Sequence, residues 1–282
     1  MNIQEILLKA YNILKNEEID TYMIDSQLLL CKVLKKDKMF IMINKDYKLN
    51  DEEEEQFLKL VSLRKEKMPV KYILNKCEFM GIDFYIKEGV LIPRPDTEIL
   101  VEWAIGVIKK NNFKSVCDLC CGSGAIGLSV SAYCNDVNVS LYDISESALD
   151  VTEINIKDLR LEKRAQVYYS DLLQRAIADH KKFDILLSNP PYIAKKQMET
   201  LMEDVKNYEP HLALCGGEDG LDFYIKIIRN SKQILSEHSY IGFEIGYDQG
   251  EEVSQLLKKE GFHNVEILKD LSGLDRVVVG EL

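Results

Sequence analysis

Residues 115–124 read S-V-C-D-L-C-C-G-S-G and combine a short apolar stretch with a turn that contains two glycines. The first five residues predict a buried strand, and residues 124–133 predict the helix that follows. Gly122 and Gly124 permit a tight turn and let a ligand approach the backbone closely. The unpaired N–H groups at the start of the helix lie at the same turn. This unit favours an open α/β sheet that binds its ligand beyond the carboxyl ends of the strands.

Strands and helices alternate from residue 113 onward, which is the pattern of repeated β–α units. We predict an α/β fold with a doubly wound, mainly parallel sheet that helices cover on both faces. The predicted strands are residues 115–119, 137–142, 166–170, 183–188, 240–245, 265–268 and 276–279, and the predicted helices are residues 124–133, 147–159, 172–178, 223–235 and 249–259.

The part of the chain before the sheet divides into two segments. The first repeats apolar side chains at helical spacing and predicts a small helical domain. In the second, Lys71–Leu74 and Phe84–Ile86 flank Gly81 and predict a β-hairpin. The predicted domains are therefore a helical domain at 1–67, a hairpin connector at 68–92 and the sheet domain at 93–282.

Composition narrows the class of protein. The chain has 282 residues, of which 46% are hydrophobic, as in ordinary globular proteins. Residues 1–11 do not resemble a signal peptide, and no apolar stretch approaches the roughly 18 residues of a membrane helix. We therefore predict a cytoplasmic protein without a membrane partner. The net charge of −11 disfavours an extended nucleic-acid footprint, which relies on clustered Lys and Arg.

The seven cysteines predict reduced, buried thiols and not a disulfide framework. Cys117 and Cys120 form a C-x-x-C pair with Cys121 adjacent. A structural zinc site needs a second pair or nearby histidines, and the four histidines are isolated from one another. We therefore predict no metal site.

The tetrapeptide Asn189-Pro190-Pro191-Tyr192 directly follows the predicted strand at residues 183–188. Two prolines end the strand and stiffen the turn. Asn189 Oδ1 and the Pro190 carbonyl can accept both protons of a planar NH2 group while Tyr192 stacks on its plane. The plain alternative is a strand-ending turn. The functional interpretation makes Asn189, Pro190 and Tyr192 catalytic and adds Pro191 to the substrate site.

Acidic residues follow two more strands. Asp143 ends the second strand, about 20 residues beyond the glycines, where a carboxylate accepts hydrogen bonds from ribose hydroxyls. Asp171 ends the third, where an adenine edge is expected. Either residue could instead cap the helix that follows. Gly122, Gly124 and Gly127 also match the G-x-G-x-x-G pattern, so a nicotinamide-dependent oxidoreductase is an alternative that leaves Asn189–Tyr192 without a role.

Taken together, these motifs resemble those of class I S-adenosylmethionine-dependent methyltransferases. The Asn-Pro-Pro-Tyr motif alone is shared with adenine-N6 and other amino-group methyltransferases. Further segments narrow the resemblance: LIPRPDTE at 91–98, DLCCGSG at 118–124, DIS at 143–145 with Ala148 and Leu149, NPPY at 189–192, YEP at 208–210, GEDGL at 217–221, EIG at 244–246 and DRVV at 275–278. With these segments the chain resembles, more specifically, the HemK family of protein-(glutamine-N5) methyltransferases, which modify peptide chain release factors.

The resemblance implies a seven-stranded Rossmann-like methyltransferase sheet with a small N-terminal helical domain that docks the release factor. It implies methyl transfer from S-adenosylmethionine, which leaves S-adenosylhomocysteine, to the N5 of a glutamine in the GGQ motif of the release factor. Arg94 and Glu209 are expected to shape the substrate pocket. We expect a monomer without direct nucleic-acid binding; the alternative is an adenine-N6-type nucleic-acid methyltransferase. The implied cofactor-binding residues are Cys120, Cys121, Gly122, Ser123, Gly124, Asp143, Asp171, Leu172 and Asn189.

Three positions depart from the family's usual residues. Cys120 stands where the family usually has glycine, and Cys121 where threonine is frequent. A side chain at position 120 requires a negative φ and is expected to narrow the cofactor pocket. Leu172 stands where an aromatic residue often faces the adenine, so it is expected to pack with less stacking.

Overall fold

The computed structural model of the chain describes all 282 residues. The helices are α1 (Ile3–Asn16), α2 (Tyr22–Leu34), α3 (Lys38–Ile43), α4 (Asp51–Lys65), α5 (Val70–Leu74), α6 (Glu98–Asn111), α7 (Ala125–Tyr133), α8 (Glu146–Asp158), α9 (Gln174–Ala178), α10 (Glu203–Tyr208), α11 (His211–Leu214), α12 (Asp222–Ser231) and α13 (Gly250–Lys259). The strands are β1 (Cys77–Phe79), β2 (Ile82–Phe84), β3 (Ser115–Leu119), β4 (Asn138–Asp143), β5 (Ala165–Tyr169), β6 (Phe183–Ser188), β7 (Leu235–Glu244), β8 (His263–Lys269) and β9 (Asp275–Glu281). Two 3-10 turns lie at Pro95–Thr97 and Lys195–Thr200.

The chain folds into two compact units. The helical unit comprises residues 1–76 and 202–208, and the sheet unit comprises residues 77–201 and 209–282. None of the helices combines the length and the apolarity needed to cross a membrane. The predicted domain boundaries at residues 67 and 92 stay predictions.

Helices α1, α2 and α4 form the core of the helical unit. Asn2 and Glu5 form a capping box at the start of α1, and Asn50 and Glu53 form another at the start of α4. Four acidic residues, Asp51 to Glu54, lie in the first turn of α4, where their negative charges interact favourably with the positive end of the helix dipole. The buried core is built from apolar side chains that include Ile6, Leu14, Leu29, Leu30 and Phe57.

One buried ion pair joins α2 to α4. Asp25 Oδ2 accepts hydrogen bonds from Arg64 Nε and from the Thr21 hydroxyl, each at 2.7 Å. Asp25 is 3% exposed and Arg64 is 8% exposed. Because neither charge reaches bulk water, each depends on the other for its solvation.

We expect Asp25→Ala to lower the free energy of unfolding by about 3–5 kcal/mol, because it leaves the Arg64 guanidinium buried without a counter-charge. Urea denaturation followed by circular dichroism measures the change. The matched control is Asp136→Ala, which breaks the exposed Lys114–Asp136 pair and should change stability by less than about 0.5 kcal/mol. Equal effects from the two variants would contradict a structural role for the buried pair.

The sheet unit is a seven-stranded sheet with the strand order β5-β4-β3-β6-β7-β9-β8. Strands β3 to β7 are parallel, while β9 is antiparallel to both β7 and β8. The central strand β6 is almost wholly buried, as expected for a strand with helices on both faces. Two apolar clusters pack on the sheet. The predicted α/β, doubly wound, Rossmann-like fold is confirmed.

The prediction of a strand at Lys71–Leu74 is wrong, because these residues lie in helix α5. Tyr72 and Ile73 are both buried although they are adjacent, which a half-exposed strand does not allow. The hairpin instead pairs β1 with β2 around Met80 and Gly81. Both residues have positive φ, as a two-residue hairpin turn requires.

Candidate active site

The turn after β3 closes through backbone hydrogen bonds. The Gly124 N–H donates to the Cys121 carbonyl at 2.7 Å, and the Cys121 N–H donates to the Tyr142 carbonyl of β4 at 3.1 Å. Gly124 has a φ of +78°, and a Cβ at this position would lie 2.9 Å from Leu128 Cδ1. A Cβ on Gly122 would meet no atom within 4 Å. Gly124 is thus needed for packing, while Gly122 leaves open space beside the backbone.

Asp118 is fully buried behind this turn. Its Oδ2 accepts a hydrogen bond from the Gly127 N–H at 2.8 Å, while its Oδ1 has no hydrogen-bond partner. Burial raises the pKa of the Asp118 carboxyl to about 7. A Cβ on Gly127 would lie 2.9 Å from Asp118 Oδ2, so the third glycine of the G-x-G-x-x-G match serves helix packing.

Asp143 does not cap α8, since Ser145 does, but its carboxylate holds both the glycine turn and the residue that caps the helix. Its Oδ2 accepts a hydrogen bond from the Gly122 N–H and its Oδ1 from the Ser145 N–H, each at 2.9 Å. Ser145 then caps α8. Burial raises the pKa of the Asp143 carboxyl. Each oxygen can accept a second hydrogen bond, so the carboxylate can fix the glycine turn and still receive the hydroxyls of a ligand.

Cys120 does not have the negative φ predicted from the sequence. Its φ is +58°, in the left-handed region that favours glycine. Leu172, the other unusual residue of the pocket, has a φ of +49°. The requirement was wrong because the turn keeps the geometry of a glycine turn even where a side chain is present. The cost for Cys120 is about 1–2 kcal/mol of backbone strain.

We expect Cys120→Gly to raise the free energy of unfolding by about 1 kcal/mol, because it relieves this strain. Thermal and urea denaturation measure the change. Arg160→Gly, at an exposed position with a φ of +57°, should give a similar gain. Lys232→Gly, at an exposed position with a φ of −60°, should give none. A loss of stability in Cys120→Gly would contradict the assignment of strain.

A cavity of about 280 Å³ opens at the carboxyl ends of β3 to β6. The predicted residues that line it are Cys120, Gly122, Asp143, Asp171, Leu172, Asn189 and Pro191. The predicted residues that do not line the cavity are Cys121, Ser123 and Gly124 of the glycine turn, together with Pro190, Tyr192, Arg94 and Glu209. The lining residues that sequence reasoning did not assign to the site include Val90, Leu91, Tyr142, Ile144, Ala148, Leu212, Phe223 and Lys226.

The turn of Asn189–Tyr192 is supported by the loop at 216–221. The Gly216 N–H donates to the Ile193 carbonyl at 2.9 Å. A Cβ on Gly216 would lie 2.7 Å from the Pro191 carbonyl oxygen, and one on Gly220 would lie 2.2 Å from that of Tyr192. The loop therefore needs glycine for close backbone contact. The sequence of this loop is part of the family resemblance, but nothing in that sequence indicates that the loop contacts the turn at 189–192.

Tyr192 is held at both ends. Its hydroxyl donates to Glu244 Oε1 at 3.3 Å, and its carbonyl accepts a hydrogen bond from Gln249 Nε2 at 3.0 Å. Burial raises the pKa of the Tyr192 hydroxyl and raises the pKa of the Glu244 carboxyl to about 7. The predicted stacking of Tyr192 on a substrate amide stays a prediction.

Arg94 and Glu209 form an ion pair with each other. The Glu209 side chain is buried, whereas that of Arg94 is 38% exposed. The pair joins the segment before α6 to the segment before α11, and α11 supplies Leu212 and Ala213 to the cavity. The structure thus brings these two predicted residues together, and their role in substrate binding stays a prediction.

The cavity suits the predicted cofactor. The Asp143 carboxylate offers acceptors of the kind that ribose hydroxyls need, and Ile144, Leu172 and Phe223 are apolar side chains of the kind that would flank an adenine ring. The open space beside Gly122 allows close approach to the backbone. The residues present therefore fit S-adenosylmethionine.

Two protein-family models match the chain. The PrmC N-terminal domain matches residues 5–74, and the Methyltransferase small domain matches residues 96–214. The first match falls in the helical unit and most of the second falls in the sheet unit.

Curated relatives match over nearly the full length. A release factor glutamine methyltransferase from Clostridium acetobutylicum is 50% identical over 99% of this chain and 98% of its own length. A protein of the same name from Clostridium botulinum is 50% identical over the same shares. Another from Fusobacterium nucleatum is 36% identical over 98% of this chain and 78% of its own length.

Solved structures share the fold at low identity. The hMettl16 catalytic domain, in complex with the MAT2A 3'UTR hairpin 6, has a TM-score of 0.58 at 16% identity and covers 82% of each chain. The N-terminal domain of human METTL16, in complex with SAH, has a TM-score of 0.55 at 17% identity and covers 89% of this chain and 93% of that one. These likenesses support the methyltransferase fold.

Proposed function

This chain belongs to the family of release factor glutamine methyltransferases, and we propose that it methylates a glutamine side chain of a peptide chain release factor with S-adenosylmethionine as the methyl donor. The observation that carries the proposal is the position of Asn189. It follows β6 and lines the same cavity as Asp143. The amide side chain proposed to bind the acceptor and the carboxylate proposed to bind the ribose therefore line one cavity. The accepting atom is the N5 nitrogen of the glutamine in the GGQ motif.

The chain's own residues hold the cofactor in the proposed arrangement. The Asp143 carboxylate would accept hydrogen bonds from the ribose hydroxyls, Asp171 and Leu172 would face the adenine, and the backbone of the turn at residues 120–124 would hold the rest of the cofactor. When bound, the cofactor supplies an electrophilic methyl group on a sulfonium.

Asn189 and Pro190 prepare the acceptor nitrogen. An amide nitrogen is a poor nucleophile because its lone pair is delocalised into the carbonyl. Hydrogen bonds from its two N–H groups to Asn189 Oδ1 and the Pro190 carbonyl orient that lone pair. These bonds strengthen as positive charge develops on the nitrogen, so they stabilise the transition state more than the ground state. The nitrogen loses a proton once the C–N bond has formed, and no strong general base is needed beforehand.

The remaining proposals concern the partner and the setting. We propose that residues 1–67 dock the release factor, because the helical unit matches the PrmC N-terminal domain and supplies no residue to the cavity lining. The protein acts in the cytoplasm, where release factors meet the ribosome. We also propose that it acts as a monomer. It does not bind nucleic acid directly, in keeping with its net charge of −11.

Radiolabelled methyl transfer to purified release factor tests the proposed function, with DNA and RNA as parallel acceptors. We expect label on the release factor and none on the nucleic acids. A release factor whose GGQ glutamine is changed to alanine is the matched control and should take no label. Label only on nucleic acid would overturn the proposal in favour of an amino methyltransferase of bases.

A further inference from the structure

The end of β7 and the turn that follows it hold Tyr192, the last residue of the turn at 189–192, through two hydrogen bonds. Glu244, the last residue of β7, accepts the Tyr192 hydroxyl hydrogen bond, and Gln249 donates to the Tyr192 carbonyl. Gln249 is itself fixed, because its Oε1 accepts a hydrogen bond from the Gly246 N–H at 2.9 Å. Two side chains of one short segment thus hold opposite ends of Tyr192.

The register of the sheet places Glu244, which bonds to the Tyr192 hydroxyl, beside Asn189. Strands β6 and β7 are parallel neighbours in which Ser188 pairs with Phe243, so Asn189 and Glu244 are the next residues of the two strands. Glu244 is also fixed from its other side, where it pairs with Val277 of β9. Its backbone carbonyl accepts a hydrogen bond from the Tyr224 hydroxyl at 2.8 Å. Glu244 therefore has a fixed position from which it can orient Tyr192.

Packing alone does not explain a carboxyl group at this position. Glu244 is 1% exposed, and its Oε2 makes no hydrogen bond of ordinary geometry, although the Thr97 side chain and the Arg276 guanidinium lie close enough to favour the charged carboxylate. A buried polar atom without a partner costs free energy, so an apolar residue would be the more stabilising choice. The raised pKa of Glu244 reflects the same cost. Such costs are concentrated at functional sites.

We infer that Glu244 is a positioning residue for methyl transfer, which orients Asn189 and Pro190 through its hydrogen bond to Tyr192. The inference rests on the proposed function. Its mechanical basis is the stiffness of the turn, in which Pro190 and Pro191 fix two consecutive φ angles. Because the turn moves as one piece, fixing its last residue also fixes the acceptor oxygens at its beginning.

A double-mutant cycle tests the inference. Glu244→Ala and Tyr192→Phe each remove the hydrogen bond, and each is expected to lower the single-turnover rate of release factor methylation by about tenfold or more. The double variant should be no slower than the slower single variant, because both remove one interaction. The dissociation constant of S-adenosylmethionine should stay within about threefold of the wild-type value. Glu244→Gln, which can still bond to the hydroxyl, should recover most of the loss.

Amide hydrogen exchange of residues 192–194, the first residues after the two prolines that have an N–H group, tests these contacts of Tyr192 without any substrate present. Exchange should be faster in Glu244→Ala than in the wild-type protein, and unchanged in the control Glu252→Ala, which alters an exposed residue of α13. Unchanged exchange in Glu244→Ala, or multiplying rate losses in the double variant, would overturn the inference. Failure of the proposed function is distinguishable, since it appears as an inactive wild-type protein whose exchange still responds to Glu244→Ala.

Discussion

Asn189→Ala is expected to lower the single-turnover rate of methyl transfer to release factor by about 10²–10³-fold, in the range measured when a single transition-state hydrogen bond is removed elsewhere. Asn189 Oδ1 is one of the two proposed acceptors for the N–H groups of the glutamine amide. Without it, the amide keeps one of its two anchors and its lone pair is no longer aimed at the methyl group. The rate therefore falls although the amide can still enter the site.

The dissociation constant of S-adenosylmethionine, measured by calorimetry, should change by less than about threefold in the same variant, because Asp143 and the glycine turn remain. Asn138→Ala is the matched control, since Asn138 is exposed at the opposite end of β4. Near-normal turnover of Asn189→Ala would remove the basis for its catalytic role. A parallel loss of cofactor affinity would instead make Asn189 chiefly a cofactor-binding residue.

The second large effect is expected on the affinity for the cofactor. Asp143→Ala should weaken S-adenosylmethionine binding by about 10²-fold, because it removes the charged acceptors for the ribose hydroxyls, each worth about 1.5–3 kcal/mol. It also removes the anchors of the Gly122 and Ser145 N–H groups, so the glycine turn loses part of its preorganisation. Calorimetric titration with S-adenosylmethionine and S-adenosylhomocysteine measures both affinities.

Asp171 is the control for Asp143, because it carries the same charge at the cavity but is exposed, whereas Asp143 is largely buried. Asp171 is exposed and its carboxylate bonds within the protein only to the Gln174 side chain, so Asp171→Ala should weaken binding by less than about tenfold. Asp143→Asn should fall between the wild type and Asp143→Ala, because the amide keeps one acceptor oxygen. Equal losses from Asp143→Ala and Asp171→Ala would contradict a special role for Asp143.

A structural feature is predictable from the sequence where all the residues that determine it lie in one short segment. The strand and turn of residues 183–192 contain their own apolar run and their own prolines, so the position of Asn189 at a strand end was predictable. The alternation of strands and helices likewise predicted the sheet unit. The strand proposed at Lys71–Leu74 failed because four residues cannot distinguish a strand from a single helical turn.

Contacts between distant segments were not predictable. The Glu244 and Gln249 side chains lie more than 50 positions from Tyr192 in the sequence and meet it only because β6 and β7 are neighbours. The glycines at 216 and 220 gave no sign that they contact the turn of Asn189. The φ of Cys120 was predicted with the wrong sign for a related reason. The surrounding turn, and not the residue type, sets its φ of +58°.

Tandem mass spectrometry of the methylated release factor tests the central claim most directly. After incubation of the wild-type enzyme with deuterium-labelled S-adenosylmethionine and release factor, the account predicts a single labelled methyl group on the side-chain nitrogen of the GGQ glutamine. The same measurement with Asn189→Ala should show at most traces of label within the same time. Label on another residue, or an unlabelled release factor beside labelled nucleic acid, would contradict the account.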